Sequence, residues 1–410
     1  IISMFYIYKF SLNIILNFIV CVLNIFIKRE NNIVIFGSWM GKTFSDNSRY
    51  LFQYMHKYTD KKVIFVTRNS DILKELNNIG YKAYKIHSFR SYYYHLKAGV
   101  HVVCNVPFKT KQYKGDILGE LSYGAKKIQL WHGIPLKGIG RNAKNSEYVF
   151  DNKLINKILV FAKSNTFFNS FVKVSGGWNN YLMLATSKQI GNIFSDAFNL
   201  PEKNIVISSY PRNCECLELI SDEEVILRRI KESNKIILLY VPTFRETSVS
   251  IDIPIENKAF RKYLKKNDII WIQKKHLADK NTYSEQNDDV ETIMLPSTFD
   301  LNVLISKIDV LITDYSSISF DCIFFHKPVQ YYVPDLEHYV NKERGFSLSF
   351  DDYTAGWISK NLCELEQNIS NQINNCEALD DITRKVNQVK NKVYDNDKAS
   401  YSSIVQDLFY

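Results

Sequence analysis

Short apolar runs alternate with amphipathic stretches along most of the chain, and most of the apolar runs end in a polar turn. Strands separated by helical stretches are typical of the parallel sheets in Rossmann-like α/β domains. Helices are predicted after the polar residues 45–48 up to residue 57, over residues 71–78 and 222–232, and after the polar turn 314–317 up to residues 326–328. The predicted strands cover residues 33–36, 62–67, 100–103, 128–131, 204–208, 236–240, 269–272, 310–313 and 329–333.

The alternating pattern occurs twice, and the two series meet near residue 210. A chain of 410 residues is long enough for two domains of ordinary size. We therefore predict Rossmann-like domains over residues 29–209 and 210–410, facing each other across a cleft in a GT-B-like α/β fold. Ligands of such sheets bind at the carboxyl ends of the strands. This rule collects several polar side chains at the cleft: His132, Arg212, Arg245, His276, Ser316 and Ser317.

The first 28 residues have a different pattern. Residues 10–27 carry no charge and would form about 27 Å of helix, slightly short for a membrane span. On a helical wheel the polar residues fall on one narrow stripe: Lys9, Asn13, Asn17, Asn24 and Lys28. We predict a membrane-associated helix over residues 1–28 that lies in the interface, with its lysines toward anionic head groups. A transmembrane helix and a soluble packing helix are the alternatives. Lys28 and Arg29 favour a cytoplasmic location for the rest of the chain.

Composition and charge narrow the classes of partner. Hydrophobic residues make up 46% and charged residues 23% of the chain, as in globular proteins. The formal charge of +9 favours anionic partners such as a phospholipid surface, a phosphate polymer or a nucleotide. The lysines are dispersed among acidic residues, so nucleic acid is not an expected partner.

No cofactor motif stands out in the sequence. The seven cysteines form no CxxC pair, which argues for free thiols and against a metal site. A GxGxxG fingerprint is also missing, so a dinucleotide is not expected. The need for a divalent cation stays open, because a helix start with arginines can carry phosphate charge without one.

A polar turn after the predicted strand 310–313 has the properties of a phosphate site. Either Ser316 or Ser317 suits the N-cap of the following helix, where free amides and the helix dipole attract phosphate. Asp314 or Asp321 could orient a sugar hydroxyl, although these residues could equally cap a core helix. Elsewhere in the chain, arginines can clamp phosphate oxygens through two hydrogen bonds each, as we predict for Arg212 and Arg245. The alternative for both is a surface ion pair, which is the more common role of an isolated arginine.

Five segments, in chain order, resemble the motifs of the CDP-glycerol glycerophosphotransferases of teichoic acid and capsule synthesis. They are WHGIPLK at residues 131–137, YPRN at 210–213, YVPTFR at 240–245, TDYSS at 313–317 with FD at 320–321, and DLE at 335–337 with RGF at 344–346. The resemblance covers the chain from about residue 30 to its end.

This resemblance implies an enzyme that transfers glycerol phosphate from CDP-glycerol to a hydroxyl of a membrane-linked acceptor and releases CMP. The acceptor would be a lipid-linked saccharide or a polyol phosphate chain at the cytoplasmic face of the cell membrane. The N-terminal domain would bind the acceptor and the C-terminal domain the CDP donor.

The resemblance also implies residue roles. His132 would be the general base, unless it is merely packed against Trp131, and His276 would contact the diphosphate or protonate the leaving group. Glu337 and Arg344 are placed in the donor site by their motif alone.

Several positions depart from the family pattern. Ser209 and Cys214 stand where the family has Gly and Asp, Leu277 replaces a proline, and residues 396–400 lack a glycine. These departures leave the donor open, since ribitol phosphate or another polyol phosphate could replace glycerol phosphate. The alternative functions are a GT-B glycosyltransferase or sugar-nucleotide epimerase that uses a UDP-sugar, and a membrane-bound assembly protein without activity.

Overall fold

The computed structural model describes residues 15, 18–105, 114–143, 181–243, 253–274, 290–342 and 345–410. The chain divides into two compact units. The first unit comprises Ile1–His132, Ser146–Glu218 and Lys398–Tyr410, and the second unit comprises Gly133–Asn145 and Leu219–Asp397. The predicted domain boundary at residue 210 remains a prediction. These units differ from it at residues 133–145, 210–218 and 398–410.

The first unit contains a seven-stranded parallel sheet with the order β3-β2-β1-β4-β5-β6-β7. Its strands are almost continuously apolar, because helices or loops cover both faces of a parallel sheet. The strands are β1 (Glu30–Phe36), β2 (Lys62–Thr67), β3 (Ala83–Lys85), β4 (Ala98–Val103), β5 (Lys126–Gln129), β6 (Tyr181–Ala185) and β7 (Ile205–Ile207). The five strands predicted in this half are confirmed, whereas β3 and β6 were not predicted.

The second unit contains a six-stranded parallel sheet with the order β10-β9-β8-β11-β12-β13. Its core is built on β8, β9 and β11 around the buried Trp271. The strands are β8 (Ile236–Val241), β9 (Ile269–Lys274), β10 (Thr292–Leu295), β11 (Val310–Thr313), β12 (Val329–Tyr332) and β13 (Gly356–Ser359). The four strands predicted here are confirmed, and β10 and β13 are additional.

Helices connect the strands of both sheets. Their bounds within the described residues are α1 (Asp46–Tyr58), α2 (Ser70–Asn78), α3 (Phe89–Lys97), α4 (Lys188–Phe198), α5 (Ser221–Ser233), α6 (Lys258–Lys266), α7 (Asn302–Ile305), α8 (Ile318–Phe324), α9 (Leu336–Lys342), α10 (Phe350–Tyr353), α11 (Leu362–Asn374), α12 (Cys376–Val393) and α13 (Tyr401–Phe409). The helices predicted in the sequence are confirmed as α1, α2, α5 and α8.

Both sheets change winding direction next to their first strand. In the first unit the switch lies between β1 and β4, and in the second unit it lies between β8 and β11. A crevice forms at the carboxyl ends of the strands at such a point, because the connections leave in opposite directions. Each unit therefore offers one place where loops from two neighbouring strands can build a site.

The helix before β1 packs on the first unit through Val20 and Asn24. Residues 18–26 are helical, Val20 is buried, and the Asn24 amide donates to the Tyr123 carbonyl oxygen at 3.2 Å. The outer side chains are apolar, and Ile25 and Phe26 are 68% and 80% exposed. Asn24, which the sequence placed on a lipid-facing polar stripe, thus faces the protein. Lys9, Asn13 and Asn17 lie outside the described residues. None of the helices in the described ranges has the length and apolar character needed to span a bilayer.

Arg29 fastens the junction between this helix and β1. Its guanidinium donates to four backbone carbonyl oxygens, those of Tyr123, His95, Ala98 and Leu121, at 2.6 to 2.9 Å. Burial lowers the pKa of Arg29 to about 10, which leaves it charged at neutral pH. This arginine therefore serves the packing of the first unit, whatever it contributes to membrane orientation.

His95 lies next to this junction and is fully buried as a neutral imidazole. Its Nδ1 donates to the Ser91 carbonyl oxygen at 2.7 Å, and its Nε2 accepts from the Leu118 amide at 3.0 Å. Burial lowers the pKa of His95 to about 4.

We expect acid to destabilise the first unit through His95. Unfolded chains protonate histidine below about pH 6.5, while folded His95 stays neutral down to about pH 4. The unfolded state binds more protons in that window, so the free energy of unfolding falls as pH falls through it. Urea titrations at pH 6.5 and 5 should show His95→Gln losing about 1.5 kcal/mol less than the wild type. The exposed His87→Gln variant should behave as the wild type, and equal losses in all three proteins would contradict the prediction.

Candidate functional site

His132 lies just beyond the carboxyl end of β5, in a turn that a regular strand could not make. Trp131 has φ +58° and Gly133 has φ +144°, and the Trp131 and His132 rings stack with centroids 4.4 Å apart. The His132 Nδ1 lies 3.1 Å from the Cys104 carbonyl oxygen at the end of β4. Because a carbonyl oxygen only accepts, the hydrogen is on Nδ1 and the lone pair is on Nε2. In the neutral imidazole this tautomer leaves Nε2 as the nitrogen that can accept a proton.

Strained backbone surrounds this histidine. Eight non-glycine residues of the described chain have positive φ, and four of them are Trp39, Met40, Asp46 and Trp131. The Trp39 ring lies 5.3 Å from the His132 ring. Left-handed conformations cost energy in residues with a Cβ, and they concentrate where function requires an unusual geometry. Their clustering favours a functional role for the loops after β1 and β5.

A buried ion pair lies behind His132. The Arg212 Nη1 donates to Asp46 Oδ1 at 2.9 Å, and both side chains are only 5% exposed. The same nitrogen donates to the His132 carbonyl oxygen at 3.0 Å. The Trp39 indole donates to the other Asp46 oxygen at 2.9 Å. Arg212 was predicted to clamp phosphate. In the structure, Nη1 of Arg212 donates to the Asp46 carboxylate and to the His132 carbonyl oxygen. The contact with phosphate stays a prediction.

Asn47 completes the attachment between α1 and the other loops. Its side-chain oxygen accepts from the Arg212 amide at 3.1 Å, and its nitrogen donates to the Trp131 carbonyl oxygen at 2.9 Å. Sequence reasoning recognised residues 45–48 only as the start of a helix and missed Asp46, Asn47 and Trp39 as members of the site. The available signal was a turn with Asp and Asn at the end of the first strand.

Asp116 joins the loops at the switch point of the first sheet. One carboxylate oxygen accepts from the Met40 amide at 2.6 Å, and the other accepts from the Cys104 and Asn105 amides at 3.1 and 2.7 Å. The residue is fully buried. A Cβ on Gly37 would lie 2.3 Å from the Asp116 carbonyl oxygen, so this close approach requires glycine. Asp116 thereby fixes Cys104, whose carbonyl holds His132.

Asp314 has the corresponding place in the second unit. Its carboxylate accepts from the Thr243 amide at 2.9 and 3.0 Å and from the Tyr315 amide at 2.6 Å. These contacts fasten the loop after β8 to the turn after β11. The side chain is buried and was predicted to orient a sugar hydroxyl. That role stays a prediction, because the described contacts are to backbone amides.

The serines after β11 lie beside the start of α8. Ser317 occupies the N-cap position with helical φ and ψ, but its side chain makes no capping hydrogen bond. The prediction that Ser316 or Ser317 is the N-cap residue is confirmed at Ser317, although its hydroxyl makes no capping hydrogen bond. Both Ser316 and Ser317 are half-buried. Of the two carboxylates predicted nearby, Asp321 is buried on the first turn of α8, and Glu337 is exposed on the first turn of α9.

The segment that follows His132 is built into the second unit. Lys137 forms an antiparallel bridge with Phe346, and the Gly138 amide donates to the Gly345 carbonyl oxygen at 2.9 Å. The Ser347 amide donates to Leu136 at 2.8 Å. The WHGIPLK and RGF motifs, more than two hundred residues apart, are thus joined by backbone hydrogen bonds. Sequence reasoning assigned them to different domains.

An aromatic cluster stands beside the turn after β11. The Tyr315 ring stacks on Tyr339 with centroids 3.8 Å apart, and its hydroxyl donates to Asp335 at 3.0 Å. Phe346 and Phe350 pack at 5.8 and 5.6 Å from the Tyr315 ring. The cluster therefore holds together the TDYSS, DLE and RGF motifs. Three predicted site residues fall outside the residues whose side chains are described: Arg245, His276 and Arg344.

Replacing Asp314 with alanine should destabilise the second unit. Two amides, those of Thr243 and Tyr315, would lose their acceptor in a buried position, and a lost hydrogen bond to a charged group costs about 2 to 3 kcal/mol. Urea unfolding should show this loss for Asp314→Ala, whereas the exposed Asp352→Ala variant should stay within about 0.5 kcal/mol of the wild type. Equal stability of the two variants would show that the carboxylate does not fasten these loops.

Comparison with known proteins identifies a family, and two relatives are named for different polyol phosphates. A family model described as CDP-Glycerol:Poly(glycerophosphate) glycerophosphotransferase matches residues 19–410. A teichoic acid glycerol-phosphate transferase of Staphylococcus aureus (strain NCTC 8325 / PS 47) is 25% identical over 344 residues, which cover 81% of this chain and 82% of the relative. A teichoic acid ribitol-phosphate primase of Bacillus spizizenii (strain ATCC 23059 / NRRL B-14472 / W23) is 27% identical over 350 residues, which cover 83% of this chain and 82% of the relative.

The fold also has a counterpart among solved structures. The structure of the wall teichoic acid polymerase TagF superposes with a TM-score of 0.67 and 22% sequence identity, covering 93% of this chain and 89% of that chain. The α/β fold with parallel sheets is therefore shared with that polymerase.

Proposed function

The chain belongs to the CDP-glycerol:poly(glycerophosphate) glycerophosphotransferase family, and from this premise we propose that it transfers a polyol phosphate from a CDP-polyol to an acceptor hydroxyl. The donor we favour is CDP-glycerol, and the product would be a teichoic acid or related cell-surface polymer. The acceptor would be a membrane-linked saccharide or polyol phosphate chain.

The observation that carries the proposal is the tautomer of His132. With hydrogen on Nδ1, bound to the Cys104 carbonyl, the Nε2 lone pair can take the proton of an acceptor hydroxyl. The hydroxyl oxygen forms a bond to the phosphorus that carries glycerol, the bond from that phosphorus to CMP breaks, and CMP leaves with the electron pair. Such phosphoryl transfers depend mainly on positioning and charge stabilisation. The strained, hydrogen-bonded loops around His132 supply that positioning.

The donor would bind in the second unit. The half-buried hydroxyls of Ser316 and Ser317 stand beside the switch point of its sheet, where α/β proteins bind ligands. We propose that Arg245, His276 and Arg344 contact the diphosphate, with Asp321 and Glu337 nearby. The two units would act as the halves of a GT-B transferase, with acceptor on the first and donor on the second. Two parallel sheets, each with its own switch point, support this assignment.

Release of CMP tests the proposed reaction directly. We expect the purified chain to release CMP from CDP-glycerol in the presence of a lipid-linked acceptor extract, with CDP-ribitol and UDP-sugars assayed in parallel and with EDTA as a check on metal dependence. His132→Gln should lower turnover by about 10²-fold or more while donor binding is kept, and the exposed His87→Gln variant should be fully active. Turnover of a UDP-sugar without any CDP-polyol reaction would contradict the proposal. Near-normal turnover of His132→Gln would remove this histidine from the base role.

We also propose that the chain attaches to the cytoplasmic face of the cell membrane through the helix before β1. The apolar side chains of Phe18, Ile25 and Phe26 are more than half exposed, and the polar Asn24 is held by the protein. An exposed apolar helix face beside a basic protein body is typical of binding to an anionic membrane surface.

Ile25→Ser combined with Phe26→Ser should weaken binding to vesicles that contain anionic lipid. Burying one such side chain is worth about 1.5 to 3 kcal/mol, so the double variant should bind at least about tenfold more weakly in a sedimentation assay. Val225 is also apolar and 66% exposed, but it lies on α5 of the second unit. Val225→Ser is therefore a matched control that should bind as the wild type. Unchanged binding of the double variant would exclude this helix as the attachment site.

A further inference from the structure

We propose that Asp46 is a positioning residue for His132, acting through Arg212 on one side and Trp39 on the other. This inference rests on the proposed function, in which His132 is the base. Asp46 does not need to touch either substrate for this role, because each of its two carboxylate oxygens holds a group that contacts the histidine.

The first arm runs through Arg212. The Arg212 Nη1 donates both to Asp46 Oδ1 at 2.9 Å and to the His132 carbonyl oxygen at 3.0 Å. One guanidinium nitrogen thus joins the carboxylate to the backbone of the catalytic turn. The arginine has its own support, because its amide donates to Asn47. Since both charged side chains are buried, the pair has few other positions to occupy.

The second arm runs through Trp39. Its indole nitrogen donates to Asp46 Oδ2 at 2.9 Å, and its ring lies 5.3 Å from the His132 ring with an interplanar angle of 59°. The His132 ring therefore contacts both Trp39 and the stacked Trp131. The hydrogen bond from Trp39 to Asp46 fixes which face of the indole meets the imidazole.

Asp46 is itself held in an unusual position. It begins α1 with φ +63°, and Oδ1 also accepts from the Asn47 amide at 2.7 Å. The preceding loop is closed by the Ser38 hydroxyl, which donates to the Ser45 carbonyl oxygen at 2.9 Å. A left-handed aspartate at the start of a helix costs stability. That cost is explained if this backbone conformation is what directs the carboxylate toward both Arg212 and Trp39.

The charges of Asp46 and Arg212 should affect the protonation of His132, an effect that loss of packing alone would not produce. Among the described groups, Asp46 and Arg212 form an ion pair that is hydrogen-bonded to the His132 carbonyl oxygen. Cys104 remains an uncharged thiol because burial raises its pKa, and the Asp116 carboxylate binds backbone amides. Removing one member of a buried pair leaves the other uncompensated. A residual Arg212 cation disfavours the His132 imidazolium, and a residual Asp46 anion favours it.

Two variants should therefore move the acidic limb of the pH–rate profile in opposite directions. Asp46→Asn should shift it to lower pH and Arg212→Met to higher pH, in CMP-release assays that give kcat and the KM for CDP-glycerol. We expect kcat to fall about 10- to 100-fold, the range typical of residues that orient a metal ligand, with the KM of Asp46→Asn changed less than about twofold. Glu30→Gln is the matched control for loss of a carboxylate, since Glu30 pairs with Lys97 at the surface. It should leave both kcat and the limb unchanged.

Trp39→Phe tests the second arm without disturbing the ion pair. It keeps an aromatic ring beside His132 and removes only the indole N–H, so it should lower kcat several-fold, to about a third or less, with the acidic limb in place. This milder variant keeps the proposal testable if Asp46→Asn does not fold.

Histidine NMR tests the inference without any activity. In protein with ¹⁵N-labelled histidine, the His132 signal, assigned by its loss in His132→Gln, should titrate at lower pH in Asp46→Asn and at higher pH in Arg212→Met. Unchanged midpoints in both variants, or shifts in the same direction, would overturn the role of Asp46. If the wild type releases no CMP from any CDP-polyol, the proposed function fails, and the NMR titrations still decide whether Asp46 positions His132.

Discussion

A buried carboxylate at each switch point is the constraint on which the rest of the structure depends. Within a sheet, backbone amides donate to the neighbouring strand, but the loops that follow the strands have no such partner. A buried amide without a hydrogen-bond acceptor costs free energy of folding. Asp116 supplies the acceptor in the first unit, by binding the Met40, Cys104 and Asn105 amides. Asp314 does the same in the second unit for Thr243 and Tyr315. The loops that carry the candidate site residues are thus held by charge-assisted hydrogen bonds.

The same topology supports different chemistry in the two units. Around His132 the first unit gathers a buried ion pair, two tryptophans and residues with left-handed backbone. Such a site is rigid and can hold one tautomer of an imidazole. Beside Asp314 the second unit offers serine hydroxyls and an aromatic cluster around Tyr315. These groups suit a phosphate and the body of a nucleotide, which is the division of labour that a transferase with separate donor and acceptor requires.

The peptide bond between His132 and Gly133 is where the chain passes from one compact unit to the other. The residues just after it pair with Gly345–Ser347 of the second unit. The candidate base is therefore covalently attached to a segment that belongs to the unit with the donor-site motifs. The WHGIPLK motif is thus a structural connection that also carries the candidate base. Its Gly133 has φ +144°, a backbone conformation that glycine adopts more readily than other residues.

The sequence by itself determined the class of fold and most of the strands. Parallel strands are buried on both faces, so their apolar runs are continuous and easy to recognise, as in residues 62–67 and 310–313. The short β3 and the edge strand β13 were not recognised, because four or fewer residues give little periodicity. The sequence also predicted His132 and the serines after β11 as site residues, since each follows a predicted strand and matches a motif.

Only the tertiary structure decided what Arg212, Asp314 and Asp46 contact. A sequence shows that an arginine or carboxylate is available, but its partner depends on which loops meet at the strand ends. Arg212 lies 166 residues from Asp46 along the chain and forms an ion pair with it. The structure likewise decided the orientation of the helix before β1, because a narrow polar stripe can face either lipid head groups or protein carbonyls. In both cases the choice is made by long-range packing, which local patterns of residues do not encode.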